Sequence, residues 1–495
     1  MKRLAAVILC VALLPAALRH QPSPVTSRDA LPPPHLNEAR EAAADEFEDT
    51  EGRGDWFTYQ RAYPFDAIPA DARRRAWDAL GRMRAQSLVH IEAARRWQPI
   101  GPSPAVSAYM SNWGNTSGRV NAIAVSPANS RVVIVGSATG GIWRSADGGA
   151  SFAAVSDDQV DLAVGSLAFA RSNPAIVYAG MGDSKSGYLG SGVLKSTDAG
   201  QTWARVSNAT LPSPGTIAKI DVDPASASRV YVALYSRLAT DKVMSGGFYV
   251  SSDGGVNWTK TLTGAARDIV VNPSDRRVLF GGLARLDADN DPPMRVVQST
   301  DAGATWTVNF TGGDLDTKTR QDCRVAISPV DPRRVYAYYG GVVDNGLVAN
   351  LRASTDGGAT WADLGARGFD TGQLGYNTYL APDPNDARTL YLGSRDVYRS
   401  TDGGATWENL TLAFTFNGEY YDYSPGISKA HADQHALAFV PNRAGEFYIG
   451  CDGGIYKTAN NGASFDSLNR GLTLTQFTSI AINPGDPGMS LGGTQ

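Results

Sequence analysis

The sequence predicts an all-β chain made by repeating one four-stranded unit, and three observations carry that prediction. First, the pattern Ser-x-Asp-x-Gly-x-x-aromatic recurs at Ser145/Asp147/Gly149/Phe152, Ser196/Asp198/Gly200/Trp203, Ser251/Asp253/Gly255/Trp258, Ser299/Asp301/Gly303/Trp306, Ser354/Asp356/Gly358/Trp361 and Ser400/Asp402/Gly404/Trp407. A worn seventh copy reads Thr458/Asn460/Gly462/Phe465, and successive copies lie about 46 to 58 residues apart, the period of propeller blades or solenoid arrays. Second, a Pro/Asn turn recurs between copies, at Ser126-Pro127, Asn173-Pro174, Asp223-Pro224, Asn272-Pro273, Asp331-Pro332, Asp383-Pro384, Pro441-Asn442 and Asn483-Pro484. Third, 53 Gly and 27 Pro with 10 Trp and 20 Tyr supply the turns and aromatic packing of an all-β protein.

Taken in order, residues 1–18 carry Lys2 and Arg3 ahead of an apolar run broken by Pro15, the shape of a secretory signal peptide. An uncleaved anchor is the alternative, because no clean small-x-small site follows around Ala16 and Ala17. Residues 19–96 are expected to be a flexible Pro-rich, then charged, tether with one amphipathic helix, drawn from the apolar spacing around Trp77, Leu80 and Met83. The cluster Arg73 to Arg75 reads as a solvated face. From residue 97 to 495 the repeat takes over. In each unit an inner run such as Val120-Asn-Ala-Ile-Ala-Val125 leads through the Pro/Asn turn to a second run. A third, such as Gly141-Ile-Trp-Arg-Ser145, enters the repeated turn and a fourth leaves it.

Within that turn the Ser and Asp side chains can hold backbone groups, Gly supplies a positive φ, and the aromatic offers an apolar face. Eight Pro/Asn turns against seven copies of the motif imply seven full units and a partial eighth, so the chain is expected to be C-terminally incomplete or closed by another segment. Trp97-Gln-Pro-Ile100 is similar to Trp407-Glu-Asn-Leu410 and Phe465-Asp-Ser-Leu468 and is a candidate outer strand for the last unit.

Composition excludes several function classes. Lys+Arg number 45 against 49 Asp+Glu, so there is no polyanion footprint and nucleic acid is not an expected partner. No stretch after the leader approaches the roughly 20 apolar residues of a membrane span. Of three cysteines, Cys10 lies in the leader, and Cys323 and Cys451 are expected to be unpaired. There is no nucleophile elbow, P-loop, H-E-x-x-H or paired CxxC.

Function is expected where the connections are long and irregular. These are residues 182–192, 235–247, 283–293, 340–350 and above all 412–434, on the rim opposite the repeated turns. The last ends in His431-Ala-Asp433-Gln-His435. If extended, it projects His431, Asp433 and His435 to one side, where they could bind a divalent cation, hold an acid/base pair, or form a hydrogen-bonded plug. The same topology gathers Arg119, Arg267, Asp322, Arg324, Tyr376, Asn377 and Gln476 at inner-strand starts with Asp183, Asp396 and Asp452 at second-strand ends, as a polar funnel. Asp183, Asp433 and Asp452 are the candidate catalytic acids. Asp287-Ala-Asp289-Asn-Asp291 alternates like a calcium loop but lacks its Gly and Glu, and reads as a solvated acidic loop. No cofactor is required by these patterns, though calcium or another divalent cation has candidate ligands.

The repeated turn resembles the Asp box, or bacterial neuraminidase (BNR) repeat. It is shared by sialidases, xyloglucan-hydrolysing two-propeller glycosidases, photosystem assembly factors and sortilin-type receptors. The resemblance implies a single β-propeller in which the boxes are structural turns remote from the ligand. Trp97-Gln-Pro-Ile-Gly-Pro102, Gly118-Arg-Val-Asn121, Gly140-Gly-Ile-Trp143, the His431 to His435 segment, Asp452-Gly-Gly-Ile-Tyr456 and Gly492-Gly-Thr-Gln495 further resemble bacterial secreted proteins with a sortilin-type N-terminal domain. That implies a secreted or periplasmic protein, cell-surface associated or free, that binds a peptide, protein or glycan. The alternative is a sialidase-like or xyloglucanase-like glycoside hydrolase. Against it, the first-unit acid of the xyloglucan family is replaced at Ala138 or Thr139, and the Phe-Arg-Ile-Pro signature of sialidases is missing.

Overall fold

The computed structural model describes residues 59, 62, 72–86, 103–106, 113–239, 242–286, 291–312, 321–343, 346–373, 375–412, 430–486 and 489–494. The chain divides into two compact units, Met1–Ile68 and Pro69–Gln495. In the first, Tyr59 and Ala62 are helical and Ala62 is buried. The proposed signal peptide, the Pro-rich tether and the Trp97 segment lie outside the described residues.

The second unit begins with helix α1 (Ala72–Gln86), where the spacing of Trp77 and Leu80 places one. Its Trp77, Ala79 and Leu80 are half-buried, whereas Met83 is 66% exposed.

Seven four-stranded antiparallel sheets follow, each with its strands in chain order across the sheet. Blade 1 is β1 (Val120–Val125), β2 (Val133–Ser137), β3 (Ile142–Ser145) and β4 (Ala153–Ala154); blade 2 is β5 (Val164–Phe169), β6 (Val177–Met181), β7 (Val193–Ser196) and β8 (Ala204–Arg205). Blade 3 is β9 (Gly215–Val222), β10 (Val230–Ala239), β11 (Lys242–Ser251) and β12 (Thr259–Thr263); blade 4 is β13 (Ala265–Val271), β14 (Leu279–Ala284), β15 (Arg295–Ser299) and β16 (Thr307–Thr311). Blade 5 is β17 (Asp322–Ile327), β18 (Val335–Val343), β19 (Gly346–Ser354) and β20 (Ala362–Asp363). Blade 6 is β21 (Tyr379–Pro382), β22 (Leu390–Gly393), β23 (Val397–Ser400) and β24 (Glu408–Asn409); blade 7 is β25 (Gln434–Phe439), β26 (Phe447–Cys451), β27 (Gly454–Thr458) and β28 (Asp466–Ser467).

The first strands β1, β5, β9, β13, β17, β21 and β25 each pack on the next, and β25 packs on β1, so the sheets form a closed ring. This is a seven-bladed propeller, whose closure leaves no inner edge open. One apolar cluster fills each interface between blades, and each takes in the aromatic of one repeated turn. Trp203, Trp258, Trp306, Trp361, Trp407 and Phe465 serve the interfaces from blades 1–2 to 6–7 in turn, and Phe152 serves the closing one, with Val120, Val133, Tyr448 and Leu472. Seven aromatics fill seven seams. The partial eighth unit is a hairpin, β29 (Phe477–Ile482) and β30 (Ser490–Thr494), that leaves Ile480 and Ile482 exposed.

The turn itself works as its chemistry predicts. Ser400 Oγ donates to Asp402 Oδ1 at 2.8 Å and accepts the buried Gly404 N–H at 2.8 Å, while Asp402 accepts from the Thr406 N–H at 2.9 Å and the Thr406 hydroxyl at 2.6 Å. Gly404 has φ +98°, a region that L side chains rarely enter. The seventh copy keeps the geometry with Thr458 and Asn460.

Two expected loops are strands. Residues 235–247 and 340–350 are largely absorbed into the long hairpins β10–β11 and β18–β19, because continued antiparallel pairing satisfies backbone groups that a loop would leave to water. Cys323 and Cys451 are buried and free. Among the described residues, no helix is long and apolar enough to cross a membrane.

Candidate functional site

Each first strand starts on the face from which the second-to-third strand connections emerge, so the topology brings residues distant in sequence to one mouth of the channel. Arg119, just before β1, is the hub. Its Nη2 donates to Asp183 Oδ2 and Ser186 Oγ, each at 2.6 Å, and its Nη1 to the Tyr376 hydroxyl at 2.8 Å. Tyr376 donates onward to Asp452 Oδ2 at 2.7 Å, and the other oxygen of Asp452 meets His435 Nε2 at 2.6 Å. His435 is edge-on to the Tyr376 ring, with centroids 5.1 Å apart.

A second knot lies beside the first. Arg267, on β13 and 2% exposed, donates to Asp322 Oδ1 at 3.0 Å, to Ser184 Oγ and to the Gly375 carbonyl. Arg324 stands 3.7 Å from the other oxygen of Asp322 and donates to the Arg267 carbonyl at 3.2 Å. Lys185 reaches Asn121 Oδ1 at 3.3 Å from the same connection as Asp183, Ser184 and Ser186.

Charge balance sets the protonation states. Burial draws the Asp183 carboxyl upward, but Arg119 and Lys185 outweigh it and hold it below its ordinary value. Asp322 is likewise held down, against burial, by Arg267 and Arg324. Against burial, His435 and Arg119 bring Asp452 to about 2. Burial and the positive charge of Lys185 push His435 down to about 4, so at neutral pH the ring is uncharged. Its Nδ1 has no hydrogen-bond partner, which fits a neutral ring carrying its proton on Nε2. Burial, with Arg119, Arg267 and Arg324, lowers Lys185 to about 7 against the pull of Asp183.

The named candidates fall into groups. Arg119, Asp183, Asp322, Arg324, Tyr376, His435 and Asp452 all belong to the two knots. Asn377 donates to Asp433 Oδ1 at 2.6 Å, and Gln476 reaches the Tyr188 hydroxyl at 3.4 Å from the segment before β29. His431, Asp433 and His435 do not share one side as an extended segment would require. Asp433 sits at φ +66°, which breaks the period of two. His431 packs on Trp113, with ring centroids 4.1 Å apart, and covers Gly453, where a Cβ would collide with it. Each of the three has a different partner, and among the described residues no group of three His, Cys, Asp or Glu is placed to hold a metal ion.

Asp396 differs from expectation. It accepts from Thr411 and Asn409, at 2.5 and 3.0 Å, and so serves the outer connection of its own blade. Residues 413–429 and 287–290 lie outside the described residues. Sequence reasoning missed Lys185, Ser184 and Ser186; the signal was the irregular connection 182–192, though nothing in it singled out those side chains. A separate cavity of about 500 Å³ is lined by Arg205, Asn208 and Leu211 on the β8–β9 connection and shares no residue with the mouth.

The repeated turns lie at the other end of the sheets, because every third strand runs away from the mouth into its turn. The arrangement can present fixed donors and acceptors to a ligand. Neither Asp183 nor Asp452 is poised as a proton-donating acid, since both are held ionised.

No family model matches the chain, and no curated protein matches it. Solved structures do. An ancestral GH74 enzyme aligns with a TM-score of 0.54 at 18% identity over 80% of this chain and 50% of its own, so the chain spans about half the length of that protein. YCF48 bound to a D1 peptide aligns with a TM-score of 0.44 at 15% identity over 70% of this chain and 94% of its own. A GH74 xyloglucanase from Xanthomonas campestris gives 0.32 at 15% identity over 71% and 70%. At these identities the first likeness bears on fold alone: the chain is a β-propeller whose structural neighbours include GH74 glycoside hydrolases and a peptide-bound YCF48.

Proposed function

We propose that this chain is an exported propeller that binds a peptide, protein segment or glycan at the channel mouth. The observation that carries the reading is the concentration of fixed polar groups, Arg119, Lys185, Tyr376 and Asp452, on the rim opposite the repeated turns. Each seam between blades already has its own apolar cluster, and prearranged polar groups at a mouth are the usual means of orienting a ligand. On this reading the repeated turns are Asp boxes of BNR type, the protein is of the sortilin-like secreted kind, and residues 1–18 are its signal peptide.

The test is a screen of immobilised peptides and of plant and bacterial oligosaccharides, followed by titration of any hit. Tyr188→Ala and Gln476→Ala, on the rim, are expected to weaken binding about tenfold, or about 1.4 kcal/mol, while Asp402→Asn at the opposite end leaves it unchanged. Loss through Asp402→Asn with the rim variants unaffected would overturn the reading.

A glycoside hydrolase is the second reading, favoured by the fold shared with an ancestral GH74 enzyme. Asp452, ionised and 26% exposed, has the character of a base or nucleophile but needs a protonated partner. Among the described residues the acids whose values are raised, chiefly by burial, are Asp221 and Asp268, and both are engaged with backbone N–H groups of neighbouring blades. Release of reducing sugar from xyloglucan or of sialic acid from sialosides, abolished in Asp452→Asn, would establish the second reading over the first.

A further inference from the structure

The connection after β6 presents Ser184, Lys185 and Ser186 consecutively to the mouth. Arg267 grips Ser184 and Arg119 grips Ser186, so the lysine between them is anchored on both sides. Its backbone N–H is fixed as well, donating to Asp183 Oδ1 at 3.0 Å. Its Nζ, by contrast, has a single neutral contact, Asn121 Oδ1 at 3.3 Å, and among the described residues no carboxylate within ion-pair distance.

The neighbouring carboxylates are already committed. Asp183 belongs to Arg119, Asp322 to Arg267 and Arg324, and Asp452 to His435 and Tyr376. A protonated Lys185 would be a fourth cation facing three ionised acids, so the charge balance disfavours its ammonium form. The charged and titratable groups acting on it are Asp183 on its own connection, Arg119 ahead of β1, Arg267 on β13, Arg324 on β17, and His435 through its own coupling to the lysine. Near neutral pH the acid is ionised, the guanidiniums are charged and His435 is neutral, so the titration that matters there is the lysine's own. Burial and the three guanidiniums bring it to about 7. A free amine is thus present at physiological pH, on a side chain that is half-buried. Nε of Arg119 and Nε of Arg324 are buried without an acceptor.

We propose that Lys185 is a site of reversible carbamylation by carbon dioxide. The Nζ lone pair attacks the carbon of CO2 and an N–C bond forms. One C=O π pair moves onto oxygen, and a proton passes from nitrogen to water. No oxidant or reductant takes part. The product sets an anion among guanidiniums where a neutral amine stood, and supplies acceptor oxygens to a mouth rich in donors. Formation rises as pH passes upward through the lysine's titration and fails in acid, where the ammonium has no lone pair. The mouth would then present a negative group in place of a neutral amine when CO2 is abundant, whatever ligand it binds.

The experiment equilibrates the full chain with 13C-labelled bicarbonate and CO2 at pH 7.5, traps carbamates as esters with a trialkyloxonium salt, and maps the modified peptides by mass. Occupancy at Lys185 is expected to exceed that of any exposed lysine by at least about tenfold, because exposed lysines stay protonated at this pH. It should disappear in Lys185→Arg and fall severalfold at pH 6. Mapping the unaltered protein decides the matter even if the variant folds poorly. Occupancy at Lys185 no higher than at surface lysines, or a 13C carbamate signal that survives Lys185→Arg at full strength, overturns the proposal.

Discussion

Single side chains in this molecule are used mainly to satisfy backbone groups that folding buries. Ser400 is representative: its hydroxyl is the acceptor for the buried Gly404 N–H and a donor to Asp402. Ser400→Ala removes that acceptor and is expected to cost about 1 to 3 kcal/mol, the penalty of an unsatisfied buried donor, measured by urea unfolding. Asp402→Asn should cost less, since an amide oxygen can still accept and Asn460 already does so in the seventh turn. At the mouth the same scale governs pH dependence. His435 has its ordinary value of 6.5 lowered to about 4 in the fold, so the unfolded chain takes up a proton that the native state resists. Its contribution is complete above about pH 6.5 and declines as pH falls from there toward 4. Thermal melts between pH 4 and 7 are therefore expected to lose stability more steeply for the wild type than for His435→Gln.

Blades are joined by apolar clusters and by hydrogen bonds from inner strands. Asp221 Oδ2 accepts the Val271 N–H at 2.9 Å and Asp268 Oδ2 the Val325 N–H at 3.3 Å, linking blades 3 to 4 and 4 to 5. Burial raises both carboxyls above the ordinary aspartate value, and each hydrogen bond needs only an acceptor oxygen. Asp221→Asn is expected to be tolerated, and Asp221→Ala to destabilise by about 1 to 3 kcal/mol through the orphaned Val271 N–H, read from chemical denaturation. The turn aromatics act at the same scale. Trp258, 5% exposed, fills the seam between blades 2 and 3, and Trp258→Ala is expected to cost about 3 to 5 kcal/mol by the same measurement.

The whole ring is closed by residues three hundred or more positions apart. Ser117 Oγ donates to the Leu472 carbonyl at 2.7 Å, and the Tyr448 hydroxyl to the Gly148 carbonyl at 2.9 Å, alongside the Val120, Tyr448 and Leu472 cluster. Leu472→Ala opens a cavity in that seam and should cost about 2 to 5 kcal/mol. Removing residues 477–494 is expected to leave the melting temperature within a few degrees of the full chain, because Ile480, Ile482 and Leu491 are each more than 60% exposed and add little burial. Calorimetry of both proteins checks the pair, and a large loss on truncation would show that the hairpin belongs to the ring.

What the sequence determined by itself was whatever is local and repeated. The turn is held by atoms within six residues of one another, so its chemistry is written in Ser400, Asp402, Gly404 and Thr406, and its repetition gives the blade count and the face from which the third strands turn away. Helix α1 was legible for the same reason, and so were the starts of the first strands that carry Arg119, Asp322 and Tyr376 toward one rim. Only the tertiary structure decided which of those polar groups meet. Arg119 bonds Tyr376 across 257 positions, Arg267 takes Asp322 while Asp396 turns to Thr411, and Lys185 comes among guanidiniums from three other blades. Such meetings depend on ring closure and on side-chain geometry at a distance, and neither leaves a period in the sequence.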